Sequence, residues 1–325
     1  MILAGDIGGT KTNLAYFAVD GPSLTPALVR SYPSQQYGSL NEVVRQLLTE
    51  HPAEITAAAF GIAGPVVDGR SKLTNLGWEV DARAVADLLK LHHVGLINDL
   101  EATAYGTLRL SQQEKLVLNA GTPQPQRPIA VIAAGTGLGE GGLIWDGKRY
   151  RTIPSEGGHT EFGPRNETEI ELLRFLWKKF SRVSYERIIA GPSIPNLYEF
   201  FRSRADYPEP DWLKRQIAGA DPSDVISQAG MEGTDRVCVE VLETFASLYG
   251  AEAGNLALKI LATGGVYVGG GIAPKILPMI EKHFMDAFAS KGRYTNLMKQ
   301  MPVYVILNDK TALLGAAHYA LVMND

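Results

Sequence analysis

The chain has a single cysteine among its 325 residues, Cys238. One thiol excludes an intrachain disulfide and any metal site built from several cysteines. Basic charge is not in excess either. The 31 Lys and Arg residues stand against 35 Asp and Glu, a formal net charge of −4, so no overall positive field draws the chain to nucleic acid or to an anionic membrane. No stretch approaches the roughly 18 to 20 consecutive apolar residues that a membrane-spanning helix needs. The opening MILAGDIGGT has no basic segment followed by a long apolar run, so no secretory signal is expected and the cytoplasm is the default location. Low-complexity tracts, short solenoid repeats and the phosphate-binding pattern GxxxxGK[ST] are all missing.

What remains is ordinary globular material. Hydrophobic residues make up 45% and charged residues 20%, enough to bury a large core, and the length suits two medium domains. Ile2–Ala4 is a short apolar run, GDIGGT a turn, and Thr12–Val19 a second β-rich run, which predicts a hairpin with an anion-sized turn. Gly21–Pro33 is rich in turn residues. Leu40–His51 has apolar residues at Val43, Val44, Leu47 and Leu48, which is helical spacing. Ala57–Ile62 and Val94–Ile97 read as strands, Asp81–Leu91 and Leu100–Leu110 as helices. The Pro-, Gln- and Gly-rich stretch between Leu118 and Pro128 is a place for the chain to change domain. Ile129–Ala134, the turn AGTGLGEGG and Leu143–Trp145 then repeat strand, glycine turn, strand, and suggest two related halves facing one cleft. Ser155–Pro164 reads as a polar loop, 167 to about 254 as mainly helical, Val266–Val268 and Val303–Leu307 as strands, and Thr311–Met323 as a closing helix.

Three glycine-rich turns follow short apolar strands, at Gly5–Thr12, Gly135–Gly142 and Gly264–Gly271. Glycine allows positive φ and close approach, and successive N–H groups then form a concavity for anions. One such turn is most simply a tight hairpin; three are better explained by a bound nucleotide. GxGxxG occurs from Gly137 to Gly142, but a hairpin rather than a helix is expected after it, which argues against a Rossmann dinucleotide site. Asp99, at the end of an apolar strand, can accept a proton from an attacking hydroxyl or cap the helix that follows. On the residues alone the two readings balance.

DIGGTK, AAGTGLG and GGVYVGGG, in that order, resemble the actin-like sugar kinase superfamily. LINDLEA, SEGGHTEFGP, YERIIAGP and LLGAAHYAL resemble the bacterial glucokinase family within it, and these motifs span essentially the whole chain. The resemblance implies an α/β protein of the two-domain actin-like (ribonuclease H-like) kind with an interdomain cleft. A small domain would comprise 1–110 plus about 300–325, and a large one about 111–299, closing on the sugar. It implies ATP as phosphate donor, D-glucose as acceptor, a Mg²⁺ ion and a homodimer. The related zinc-containing kinases carry a cysteine-rich motif, so this chain looks like the zinc-free branch.

By the same resemblance Asp99 is the catalytic base, and Asn98, Glu156, His159, Glu186 and Asn75 join it in holding the sugar. The competing readings are a strand terminator for Asn98, a turn residue for Asn75 and an exposed helix charge for Glu186. Glu161 receives no role. Gly5, Asp6, Ile7, Gly8, Gly9, Thr10 and Lys11 are expected on the phosphates, with Asp6 facing the metal directly or through water. Gly135, Thr136 and Gly137 are expected there too, and Gly265, Gly269, Gly270 and Gly271 toward adenosine. A kinase for fructose, mannose or an N-acetylated amino sugar is the alternative, since one or two contacts change the sugar. A non-sugar actin-like ATPase is more remote. A sugar-responsive repressor would need a DNA-binding helix-turn-helix ahead of the first glycine turn, which here begins at Gly5.

Overall fold

The computed structural model describes residues 1–323 apart from positions 22 and 74. The chain divides into two compact units, Met1–Glu114 with the segment from Asn308 onward, and Lys115–Leu307.

The first unit is built on β1 (Ile2–Ile7), β2 (Lys11–Asp20), β3 (Ser23–Pro33), β4 (Ala57–Ile62) and β7 (Gly95–Asn98), in the spatial order β3-β2-β1-β4-β7. A separate hairpin joins β5 (Arg70–Leu73) to β6 (Trp78–Asp81). β3, β2 and β1 form an antiparallel meander, and β1, β4 and β7 run parallel. Parallel neighbours need a crossover; α1 (Leu40–Glu50) lies in the first, and α2 (Ala82–Leu89) in the second. β4, and β1 apart from Asp6, are apolar because the sheet is covered on both faces. One face packs on Val43, Val44, Leu47 and Val85, the other on the alanine-rich closing helix, Thr311–Val322.

That helix also crosses α3 (Asp99–Thr107) without side chains between them. A Cβ at Gly315 would lie 1.7 Å from the Ala102 carbonyl, and one at Gly106 would lie 2.1 Å from that of Thr311. The two glycines therefore set the position of α3, whose first residue is Asp99.

The second unit contains β8 (Lys115–Asn119), β9 (Ile129–Ala134), β10 (Leu138–Trp145), β11 (Tyr150–Ile153), β12 (Gly265–Gly269) and β13 (Val303–Ile306), ordered β11-β10-β9-β12-β13-β8. β11, β10 and β9 are antiparallel, while β9, β12 and β13 are parallel. Strand order and directions thus repeat those of the first unit, with β8 added antiparallel at the edge. The helices are α4 (Glu167–Leu176), α5 (Ile194–Arg202), α6 (Asp211–Gly219), α7 (Pro222–Glu232), α8 (Arg236–Ile260), α9 (Ile272–Lys275), α10 (Leu277–Ala289) and α11 (Thr295–Gln300). The 25-residue α8 runs through the core, which includes Cys238, Leu242, Phe245 and Tyr249.

Several expectations from sequence need correction. Gly21–Pro33 is not a turn region; Ser23–Pro33 is an edge strand. Proline is tolerated at an edge, where the missing N–H has no ladder to break, and Pro26 sits beside the register shift that faces Tyr16 and Phe17. The β5–β6 hairpin was not foreseen, because two four-residue strands are too short to show a period. The first glycine turn is also tighter than expected. Gly5 and Asp6 lie within β1, and the turn proper closes with the Gly8 N–H donating to the Lys11 carbonyl at 2.9 Å.

Candidate active site

In the first unit, β1 delivers Asp6 to the edge of the turn, where its half-buried carboxylate accepts from Asn13 Nδ2 at 3.2 Å. Burial raises its pKa, and the Asn13 bond and the charge of Lys310 pull it back down. The turn is braced from below by Ser34. Its N–H donates to the Thr10 carbonyl at 3.0 Å, its hydroxyl donates to the Gly8 carbonyl at 2.8 Å, and Thr12 Oγ1 lies 3.0 Å from Ser34 Oγ. Thr10 and Lys11 are left exposed and Ile7 is core. Gly5 serves packing, since a Cβ there would be 2.3 Å from the Phe60 ring. Asn75, exposed in the β5–β6 turn, lies beside Gly9; a Cβ on that glycine would be 3.7 Å from that of Asn75.

Asp99 is the first residue of α3, and the cap is Asn98. Asn98 Oδ1 accepts from Leu100 N at 2.8 Å, while Glu101 Oε2 accepts from Asn98 N at 3.0 Å, forming a capping box. Asn98 Nδ2 donates to the Gly64 carbonyl at 3.1 Å. The capping role that competed for Asp99 is therefore filled by its neighbour. One oxygen of Asp99 accepts from Leu100 N at 2.8 Å, which orients the carboxylate at the positive end of the helix.

In the second unit the β9–β10 turn, Gly135–Gly137, is clamped by the segment YERIIAGP. Glu186 Oε2 accepts from Leu138 N at 3.2 Å, and Gly191 N–H donates to the Gly135 carbonyl at 2.8 Å. A Cβ on Gly137 would lie 2.7 Å from that same Glu186 oxygen. His159 Nδ1 is 3.8 Å from the other oxygen of Glu186. Glu156 stands at the start of the short turn Gly157–His159, where its carbonyl accepts from His159 N at 3.0 Å. Glu161 is taken up by Arg182 at 2.8 Å.

At the C-terminal end of β12, Gly270 has φ +80°, and a Cβ there would lie 2.1 Å from the Ala134 carbonyl. Only glycine fits. Gly271 faces open space. Gly265 sits at the opposite end of the same strand, roughly 13 Å from Gly269 at the rise of an extended chain, and packs on Tyr267 and Tyr304. Sequence reasoning missed what holds these turns together. Tyr249 on α8 accepts from Ala134 N at 3.0 Å and reaches the Ile132 and Gly269 carbonyls at 3.1 and 3.0 Å. Ser34 and Tyr249 leave no local signal, whereas Gly191 lay inside a quoted motif.

Among the described residues no group of three or more His, Cys, Asp or Glu side chains is arranged to hold a metal, and no helix is long and apolar enough to cross a membrane. A lone half-buried carboxylate such as Asp6 fits a cation that arrives with a polyanionic ligand better than a resident one.

A repeated meander with parallel extension and glycine turns at its strand ends defines the actin-like ATPase fold, the class to which sugar kinases belong. A glucokinase from an Antarctic psychrotroph superposes with a TM-score of 0.90 at 29% identity, over 99% of this chain and 98% of that one. A ROK family glucokinase from Streptomyces griseus, solved with glucose and AMPPNP, shares the fold at a TM-score of 0.66 and 21% identity, over 99% of each chain. The sequence model of the glucokinase family matches residues 3–323. A glucokinase from Nostoc sp. is 45% identical over 334 residues, 98% of each chain. The chain belongs to the glucokinase family.

Proposed function

We propose that this protein transfers the γ-phosphate of ATP to glucose, at the hydroxyl on carbon six. The observation that carries the reading is the meeting, within one unit, of His159, Glu186 and the Gly135–Gly137 turn. A carboxylate and an imidazole fix hydroxyl directions, and a glycine turn offers N–H groups to phosphate. Membership of the glucokinase family and the glucokinase relative at 45% identity support glucose as the acceptor.

Asp99 takes the proton of the attacking hydroxyl as that oxygen bonds to the γ-phosphorus. The bond to the bridging oxygen breaks, and ADP leaves with the electron pair. Glu156, His159 and Glu186 hold sugar hydroxyls. Asn98 holds the start of α3 and has one amide hydrogen left for the sugar, and Asn75 borders the first turn. The N–H groups of Gly8, Gly9, Thr10, Gly135, Thr136 and Gly137 receive phosphate oxygens, with Thr10, Thr136 and Lys11 adding side-chain donors. Gly269, Gly270 and Gly271 admit the adenosine side. Mg²⁺, when bound with ATP, spreads phosphate charge, and Asp6 would hold it directly or through water. The site of action is the cytoplasm, and homodimerisation is checked by sedimentation.

The test is a coupled ADP-release assay over a panel of hexoses for wild type and Asp99→Ala. Glucose should give the highest kcat/KM. The variant should lose about 10²- to 10⁴-fold in kcat with an unchanged circular dichroism spectrum. Near-normal turnover removes Asp99 as base; a better substrate among the other hexoses replaces glucose, and failure on all of them returns the protein to the non-sugar ATPases.

A further inference from the structure

Beneath the Gly157–His159 turn lies a buried carboxyl that the phosphoryl-transfer reading does not use. Glu140, on β10, is 1% exposed, and neither of its oxygens has a hydrogen-bond partner. Gly157 rests directly on it, for a Cβ at that glycine would lie 2.2 Å from Glu140 Oε2. Glu252 of α8, fully buried, faces Glu140 and raises its proton affinity. Glu252 itself is held by Asn255 Nδ2 at 2.7 Å and Lys259 Nζ at 3.3 Å. The same Asn255 amide donates to Tyr185 OH at 3.2 Å, next in sequence to Glu186. Lys291 completes the cluster, donating to the Asn255 Oδ1 at 2.6 Å and the Ala251 carbonyl at 2.8 Å. The cluster therefore touches the turn that ends at His159 and the residue that precedes Glu186.

Two carboxyls facing one another in a dry site cannot both be ionised without strong repulsion, and they bond to each other once one holds a proton. Glu252 already has two donors, Glu140 none. We propose that Glu140 and Glu252 share one proton, and that the pair is a positioning element supporting the Gly157–His159 turn and, through it, the hold on the sugar. This rests on the reading that His159 and Glu186 bind the sugar. Glu140 donates its proton to Glu252, fills the space under Gly157 and keeps the turn down. When the proton leaves, the two carboxylates repel, and the turn lifts to let water reach Glu140.

The direction with pH follows. Burial first, then the charge of Glu252, pushes Glu140 up from 4.5 to about 8, with Lys259 opposing. The folded chain keeps this proton where the unfolded chain has released it, so stability falls as pH rises from about 4.5 to about 8. Other groups border the pair. Tyr249 and Tyr185 are both raised well beyond the range of interest by burial. Lys291 is lowered by burial to about 8, and Arg165 also acts on it. Lys291 titrates in the same window and is the rival that the experiment must separate.

The experiment measures KM for glucose, KM for ATP and kcat from about pH 6.5 to about pH 9.5 for wild type, Glu140→Gln and Glu252→Gln. In wild type the glucose KM should climb above about pH 8, by up to tenfold per pH unit for a single proton, with ATP KM and kcat changing far less. Glu140→Gln, whose amide is a permanent donor of the same shape, should hold the glucose KM flat, and so should Glu252→Gln by removing the repulsion from the other side. A flat wild-type profile overturns the proposal. So does a variant profile that climbs in parallel with wild type, which would assign the titration to Lys291 or to the sugar ligands. Hydrogen exchange of residues 155–161 in wild type, corrected for intrinsic rate, should accelerate above about pH 8, and unchanged protection refutes the lifting turn even if neither variant folds. The underlying sugar reading is tested apart, by Glu186→Gln near neutral pH: an unaltered glucose KM sinks that reading, whatever the pH profiles show.

Discussion

Removing one oxygen from Tyr249 should loosen two glycine turns at once. The hydroxyl is buried completely. It accepts from Ala134 N–H, immediately before the Gly135–Gly137 turn, and donates between the Ile132 and Gly269 carbonyls, the latter immediately before Gly270. Having one proton, it donates to only one carbonyl at a time, so Tyr249→Phe deletes one accepted and one donated bond. Each contributes roughly 0.5–1.5 kcal/mol net, giving a loss of about 1–3 kcal/mol. The ring stays, edge-on to Phe245 and Phe284 with centroids 6.1 and 5.7 Å away, so no cavity adds to the cost. For a unit of this size the melting temperature should drop by about 2–4 °C per kcal/mol. The functional signature is selective: ATP KM rises several-fold, while glucose KM changes less, because Glu186 and His159 hang from other segments. Calorimetry and steady-state kinetics on both proteins decide it. A variant within about 0.5 kcal/mol of wild type and with the same ATP KM would show that the hydroxyl does not brace these turns.

Two further perturbations probe the backbone and the pH dependence. Gly270→Ala forces a methyl group into the Ala134 carbonyl at a left-handed φ, which should cost at least about 1–3 kcal/mol and raise ATP KM more than tenfold; ordinary ATP kinetics would rule out this close approach. His318 accepts from Arg109 Nε at 2.9 Å through Nδ1, which must be unprotonated to do so. Burial, then the Arg109 charge, lowers it from 6.5 to about 4, so its neutral form is favoured in the fold. That stability is present above about pH 6.5 and is lost as pH falls toward about 4, by at most about 3 kcal/mol. Urea midpoints for His318→Phe should flatten across this window, and an acid limb identical to wild type would exclude His318 as its source.

How far the sequence spoke depended on whether a constraint was local. α1 was legible because Val43, Val44 and Leu47 recur at helical spacing and are all buried, and Ser39 caps it by accepting from Glu42 N. The three glycine turns were legible because close approach at Gly8, Gly137 and Gly270, with a positive φ at the last, leaves glycine as its mark. β3 was misread since its prolines are local evidence against a strand, and only its place at a sheet edge makes them harmless. Asp99 carried an ambiguity that no local pattern resolves; it took the capping box of Asn98 with Glu101 to show which residue caps α3. The braces were out of reach entirely. Tyr249 meets Ala134 across 115 residues, and Ser34 meets Gly8 across 26, while nothing local in GTGLGEGG marks Glu140 as buried against Glu252 of a distant helix.

The two units show how much of a site topology can provide and where side chains take over. Both sheets place a tight turn between the first two antiparallel strands of the same order, β1–β2 and β9–β10. If topology assigned roles, either turn would serve either end of a nucleotide. The strand before the first turn carries Asp6 two residues ahead of Gly8; the strand before the second has Ala133 at the matching distance from Gly135. The first turn therefore brings a carboxylate held above its ordinary pKa by burial, a group that a divalent cation would stabilise in its charged form. The second brings none of its own and instead borrows Glu186 from the segment that clamps it. The proposed placing of a cation at the first turn and of a polyol hydroxyl at the second would then rest on single residues at equivalent points of the same fold.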